Sequence, residues 1–310
     1  MTADVVTQLI DACGSARHLA EPPCAAGSAT SCLAARITKD AGREDATTIA
    51  AFEEGVLAGL AVLRFPQWDR EHFGYVVGRV EHLQGSDERV LGRMVTEAVH
   101  ELAARGARMC SARVPSDALA VVRSLEDGGF RYVELMLTPW RDLSGWEHRG
   151  FGVTRPAQPD DLPQMCAVAR RAFRTDRFHR DRRFSREAAD GVYDRWVRTW
   201  QVEQSQARCS RVLVLDGAVA GFFLLELLDP AGDGATAVAK VILNAVDPSR
   251  AGQGHGFRMY CDALDAASHD ARYCSADVAA ANPAVLNLYA RLGFQLTSGG
   301  DVTMHWWRQD

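Results

Sequence analysis

The chain reads as an α/β protein made of two tandem copies of one unit, each a mixed central sheet flanked by helices. Three observations predict it. At 310 residues, with 47% hydrophobic and 24% charged positions, the chain has the length and composition for two ordinary soluble domains. ARMCSARV at Ala107 to Val114 returns as ARYCSADV at Ala271 to Val278, a shift of 271 − 107 = 164 residues, which also lays Gly129-Phe130 on Gly293-Phe294 and Gly92 on Gly256. Finally, strand-like and helix-like patterns alternate along both halves, which is the signature of a sheet covered by helices.

The elements follow in order. In the first copy Val90, Leu91, Met94, Val95, Ala98, Val99 and Leu102 recur at helical spacing. MCSARV is then a short strand, and Ala118 to Leu125 starts a second helix that stops at Gly128-Gly129. The second copy opens with a strand in VTRP and an acid-capped helix, DDLPQMCAVARRAF. Three strands follow, RVLVL, AGFFLLELL and VAKVILNAV, so antiparallel pairing should precede a parallel pair. Phe257, Tyr260, Cys261, Leu264 and Ala267 mark a helix, SADV a strand, and Pro283 to Leu292 a last helix stopped by Gly293. Glycines and polar residues in DLSGWEHRGFG set the boundary, giving domains 1–146 and 147–310. Residues 20–47 fit no clear element.

Composition narrows the function classes. A net charge of −5 gives no global reason to expect nucleic acid or an anionic membrane as partner. The eight cysteines are scattered without a Cys-x-x-Cys, so reduced thiols are expected, with neither a disulfide framework nor a metal site. The N-terminus lacks the basic start and apolar core of a signal peptide, and no run of about 18 apolar residues occurs. The expected location is cytoplasmic.

The most informative stretch is VDPSRAGQGHGFRMY, Val246 to Tyr260, where a strand runs through a Gly-x-Gly-x-Gly turn into a helix. Free main-chain N–H groups and the positive end of a helix dipole together bind phosphate oxygens. The turn lacks the Gly-Lys-Ser/Thr of a P-loop and the last glycine of a dinucleotide fingerprint. A ligand-free helix entry is the competing reading, and the repeat weighs against it. Under the 164-residue shift Gly252 falls on Glu88 and Gly254 on Val90, so the first copy makes the same entry without the glycines. Glu88 would put a carboxylate where a phosphate should lie, so only the second copy is equipped for an anion.

VDPSRAGQGHG, its helix, and ANPAVLNLYARLGF after the next strand resemble motifs A and B of the GNAT superfamily of acyl-CoA-dependent N-acyltransferases, over Phe151 to Trp307. The resemblance implies two tandem GNAT-like domains with a degenerate N-terminal copy. It implies an acyl-CoA, most simply acetyl-CoA, held by Val246, Arg250, Ala251, Gly252, Gln253, Gly254, His255 and Gly256. Asn282 would touch the pantetheine or phosphate arm, although Asn before Pro at a helix start is also a plain N-cap. Ala251 departs from the Arg or Gln usual at that position, which should weaken the site without abolishing it. Acyl transfer to an amine needs a proton for the leaving thiolate, and the matching motif B residue is Tyr289. The thioester and pantetheine would pair with the main chain of Val241 to Val246. Glu226, Asn244, Asp277 and water chains all remain open as the base.

For the acceptor, Ala169 to Arg183 holds seven arginines, whose forks suit phosphate or carboxylate; a solvated basic helix end is the competing reading. RFPQWDREHFGYVVGRV, and AFRTDRFHRDRRFS with YDRWV, resemble stretches of dTDP-fucosamine acetyltransferases. That likeness implies a nucleotide-linked amino deoxysugar as acceptor, contacted by Phe178, His179, Arg180 and Tyr193. The alternatives are another biosynthetic amine, such as an amino acid or natural-product intermediate, and a GNAT-like acyl-CoA-binding or carrier-loading module.

Overall fold

The computed structural model describes residues 2–13, 29–147, 149–202, 207–228, 237–296 and 299–309. These form two compact units, one reaching to Met136 and including the C-terminal residues, the other spanning Leu137 to Thr297.

The first unit runs α1 (Ala3–Cys13), α2 (Ala29–Ala41), β1 (Ala46–Glu53), β2 (Val56–Arg64), α3 (Gln67–Phe73), β3 (Val77–Gly85), α4 (Glu88–Ala104), β4 (Met109–Pro115), α5 (Leu119–Asp127) and β5 (Arg131–Leu137). β2 is apolar at nearly every position because both its faces are covered. Leu57, Leu60 and Val62 pack under α1 and α2, whereas Ala61 and Leu63 join Val90, Met94 and Val95 of α4. Antiparallel pairing of β1, β2 and β3 gives way to the parallel pair β3–β4.

The second unit contains β6 (Trp140–Asp142), β7 (Thr154–Pro156), α6 (Leu162–Ala172), α7 (Arg177–Arg180), α8 (Arg186–Val202), β8 (Arg208–Leu215), β9 (Ala218–Leu228), β10 (Val238–Val246), α9 (His255–Ala267), β11 (Tyr273–Ala276), β12 (Val278–Ala279) and α10 (Pro283–Arg291). Its sheet order is β6-β11-β10-β9-β8-β7, antiparallel from β7 to β10 and parallel between β10 and β11, as the sequence predicts. Tyr260, Cys261 and Leu264 of α9, Tyr289 of α10 and Leu292 just after it share one core with Phe223, Ala239 and Cys274 of the sheet.

The final strand, β13 (Asp301–Trp307), departs from the expected boundary. It pairs with β4 and β5, and its Met304 and Trp306 are buried in the first unit's core. Conversely, β6, from the end of the first copy, pairs with β11 in the second sheet. Each copy therefore gives its closing strand to the other sheet, an arrangement that strand propensity cannot reveal. A further difference lies at α2, a helix inside the stretch that the sequence left unplaced; Cys24 and the rest of 14–28 lie outside the described residues.

Two aspartates of α9 fix the segment that opens the second copy. Asp262, buried, accepts from the N–H groups of Phe151 (2.5 Å), Gly152 (3.0 Å) and Thr154 (2.7 Å). Asp265 accepts from Trp146 Nε1 (2.6 Å) and from the N–H groups of Arg149 and Gly150. Main-chain donors that would otherwise be orphaned are thus satisfied by carboxylates.

Candidate active site

The glycine turn lies between β10 and α9. Asp247 starts it, accepting from Ser249 N–H (3.0 Å) and Oγ (2.8 Å) and pairing with Arg171 of α6. Those partners, Arg171 foremost, hold its carboxyl down at about 2. Gly252 and Gly254 both have φ of +76°, and a Cβ on either would meet nothing within 4 Å. Glycine is needed there for its backbone angle, not for room. Gly254 caps α9 without any side-chain hydrogen bond. The N–H groups from Gly252 to Gly256 donate to no acceptor among the described residues, and the turn is open to solvent. A row of unpaired donors at a helix N-terminus is what a pyrophosphate needs.

The remaining predicted loop residues gather at the same turn. His255 Nε2 and Gln253 Oε1 are 3.2 Å apart, Ala251 is exposed, and Arg250 turns away to pair with Asp216 at 2.8 Å. Asn282 caps α10, its Oδ1 accepting from Val285 N–H at 3.2 Å, so the plain N-cap role is realised.

The first copy closes its own helix entry. Asp87 precedes α4 and accepts from Val90 N–H at 2.8 Å. The sequence comparison pointed to Glu88, which instead is the first residue of the helix; the capping carboxylate comes from one residue earlier, because an extended N-cap residue reaches the N3 amide.

Strand β10 supplies the second half of the site. Its parallel pairing with β11 ends at Val241↔Ala276, while its antiparallel pairing with β9 continues to Val246↔Gly221. A register shift between Val241 and Leu243 bends the strand at that point. From Ile242 to Val246 one edge of β10 therefore faces no strand among the described residues, leaving main-chain donors and acceptors for an extended ligand arm. β10 ends at Val246, and the short turn Asp247–Ala251, bonded within itself, joins the free edge to the open N–H row.

Tyr289 of α10 is fully packed, at 3% exposure, and its hydroxyl lies 2.7 Å from that of Tyr260 on α9. Burial pushes both phenols well above their ordinary range. A phenol so placed stays protonated at neutral pH, the state in which it can act as an acid. Two of the base candidates are already engaged: Glu226 pairs with Arg208 (3.5 Å), and Asp277 with Lys240 (2.8 Å) and Thr138 (3.0 Å).

The predicted acceptor residues are largely committed to the fold. Arg170 pairs with Asp194, Arg171 with Asp247 and Arg174 with Asp190. His179 is held between Asp176 (2.6 Å) and Asp190 (2.8 Å). Phe178 and Tyr193 are buried, and Tyr193 stacks on Phe173 at 4.0 Å between ring centroids. Trp196, the tryptophan of the YDRWV stretch though not among the contact residues named, is 39% exposed and continues that stack, its ring nearly parallel to Tyr193 at 6.2 Å. Its i, i+3 spacing from Tyr193 was the available signal.

Residues 174–294 match the model of the GNAT acetyltransferase family. The match lies wholly within the second unit. Solved structures extend the likeness to the whole chain. A GCN5-related N-acetyltransferase from Sphaerobacter thermophilus is 16% identical, with a TM-score of 0.64 over 98% of this chain and 92% of that one. A tandem GNAT protein from the clavulanic acid biosynthesis pathway is also 16% identical, with a TM-score of 0.58 over 100% of this chain and 98% of its own. At these identities the likeness is one of fold, and it includes the tandem arrangement. No curated protein matches the sequence. The matched segment includes the glycine turn, the bent β10 and Tyr289. No helix among the described residues is long and apolar enough to cross a membrane.

Proposed function

We propose that the chain transfers an acyl group, most simply acetyl, from coenzyme A to a primary amine, and that the acceptor is an amino deoxysugar carried on a nucleotide. The carrying observation is a track with two runs of unpaired main-chain groups, the free edge of Ile242–Val246 and the open N–H row of Gly252–Gly256, joined by the internally bonded turn Asp247–Ala251. An elongated ligand with an amide-rich arm and a pyrophosphate matches such a track: the arm adds to the strand edge and the phosphates lie on the helix N-terminus. The described residues offer no His/Cys/Asp/Glu cluster for a metal.

A neutral amine attacks the thioester carbonyl, and main-chain N–H groups on the β10 edge stabilise the oxyanion. As the carbon–sulfur bond breaks, Tyr289 donates its proton to sulfur. For the acceptor, the exposed face of Trp196, last in the stack with Phe173 and Tyr193, supports a ring-bearing molecule. The arginines support the sugar nucleotide less than their number suggests, since those of α6 and Arg174 already face carboxylates.

The test is thiol release from acetyl-CoA with a panel of amines: nucleotide-linked amino sugars, free amino sugars, amino acids and an acyl-carrier pantetheine. Turnover confined to amino-sugar nucleotides supports the full proposal. Turnover with a different amine overturns the acceptor class, and loading of the carrier alone overturns N-acyl transfer.

A further inference from the structure

A carboxylate stands at the entrance of the turn read above as a phosphate site. Asp247 follows β10 directly and is the only acidic residue between that strand and α9. Its carboxyl, held at about 2, is ionised at neutral pH. An uncompensated negative charge there would repel an anion arriving at the N–H groups of Gly252–Gly256. Asp247 cannot simply swing away, because it is tied at two points. Its N–H donates to Ala220 O at 2.8 Å, and its Oδ1 accepts from Ser249 N–H and Oγ.

The charge is met by Arg171. Its Nη2 donates to Asp247 Oδ2, the oxygen that Ser249 leaves unused. The arginine side chain is 53% exposed and the aspartate 16%, so the guanidinium lies on the solvent side of the carboxylate. The arginine is itself well anchored. It belongs to the last turn of α6, where the negative end of the helix dipole favours a cation. Just beyond it, Phe173 stacks on Tyr193 at 4.0 Å and Arg174 pairs with Asp190 of α8. A second ion pair, Arg250 with Asp216 at 2.8 Å, holds the other end of the link, but there the aspartate side chain is 78% exposed. Water and salt screen that charge, whereas the sheltered carboxylate of Asp247 acts on its surroundings much more strongly.

We propose that Arg171 is a positioning residue for the cofactor turn: by pairing with Asp247 it fixes the residue that starts the turn and cancels the one carboxylate in it, so that the N–H row can take the pyrophosphate. The proposal rests on the acyl-CoA reading above. Under the 164-residue shift Asp247 falls on Leu83 of β3, so the copy whose helix entry is closed by Asp87 has no charge at this point to cancel.

The test titrates the full chain with acetyl-CoA by calorimetry in Arg171→Gln, Arg171→Lys, Asp247→Asn and the double variant Arg171→Gln/Asp247→Asn. Arg171→Gln leaves the carboxylate uncompensated and should raise the Kd roughly 3- to 10-fold, the range for one partly screened unit charge at close quarters. Arg171→Lys keeps the charge and should stay within about twofold of the wild type. Asp247→Asn keeps an oxygen for Ser249 and loses the charge, so it should bind at least as tightly as the wild type. In the double variant the same change should undo most of the Arg171→Gln defect, returning the Kd to within about twofold of the wild type. The ratio of Kd between Arg171→Gln and the wild type should also shrink towards one between about 0.05 and 1 M salt, a screening signature that a loss of packing does not give.

Failure of the wild type to bind acetyl-CoA overturns the acyl-CoA reading and this inference with it. Wild-type binding with an Arg171→Gln Kd that is unchanged overturns this inference alone. A double variant as weak as Arg171→Gln makes Arg171 itself a phosphate ligand and overturns its action through Asp247. An Arg171→Lys as weak as Arg171→Gln, or a ratio that salt leaves unchanged, overturns the cancelling of charge.

Discussion

Replacing Gly254 by alanine tests the glycine turn with the least disturbance. The residue is exposed at φ +76°, and the new methyl group would meet nothing within 4 Å, so no steric clash enters. What remains is the backbone cost of placing an L-residue in the left-handed region, about 1–2 kcal/mol. In an open turn the free protein can relax to an ordinary angle, turning the N–H groups away from their shared direction. The cost then appears on binding, which must restore the original angle. At about 1.4 kcal/mol per factor of ten, the Kd for acetyl-CoA should rise roughly 5- to 30-fold. Calorimetric titration of Gly254→Ala reads that factor directly. Gly92→Ala is the control, since the equivalent of Gly256 lies within the first copy's helix with open space around it. It should leave the Kd alone and raise stability by up to about 1 kcal/mol through helix propensity. A Kd for Gly254→Ala within about twofold of the wild type would refute the argument that this backbone angle aims the donors.

Three further outcomes follow from the same geometry. Asp87→Ala removes the carboxylate that caps α4 and should cost about 1 kcal/mol in urea unfolding without changing the acetyl-CoA Kd. Asp262→Asn sets an amide that can also donate against three main-chain N–H groups, and should destabilise the second unit by about 1–3 kcal/mol in the same measurement. Asp247 has a carboxyl lowered from 3.8 to about 2, chiefly by Arg171, so its contribution is complete above pH 3.8 and lost as pH falls towards 2. Acid titration should therefore show the stability gap between wild type and Asp247→Asn closing over that window; a gap that stays constant would refute it.

The parts of this protein that were legible in the sequence are the local ones. The glycine turn, the helix after it and the Tyr289 helix are encoded in contiguous residues, and the repeat showed that the first copy lacks the turn. The exchange of β6 and β13 was not legible, because strand propensity says nothing about which sheet a strand joins. The α2 helix was missed because Ala29 to Ala41 mixes small and polar residues with few large apolar ones. The arginine-rich stretch misled for a related reason: its charges are visible, but their partners Asp190, Asp194 and Asp247 are distant in the chain. The Tyr260 hydroxyl was counted among core positions, because periodicity marks its face of the helix and not its hydrogen bond.

The central claim is that one track, in the second copy alone, holds the cofactor. Calorimetric titration of the intact chain with acetyl-CoA measures it through the stoichiometry. The account predicts one site per chain, weakened in Gly254→Ala and untouched in Asp87→Ala. Two sites per chain would contradict the closing role of Asp87, and no binding at all would contradict the reading of the glycine turn.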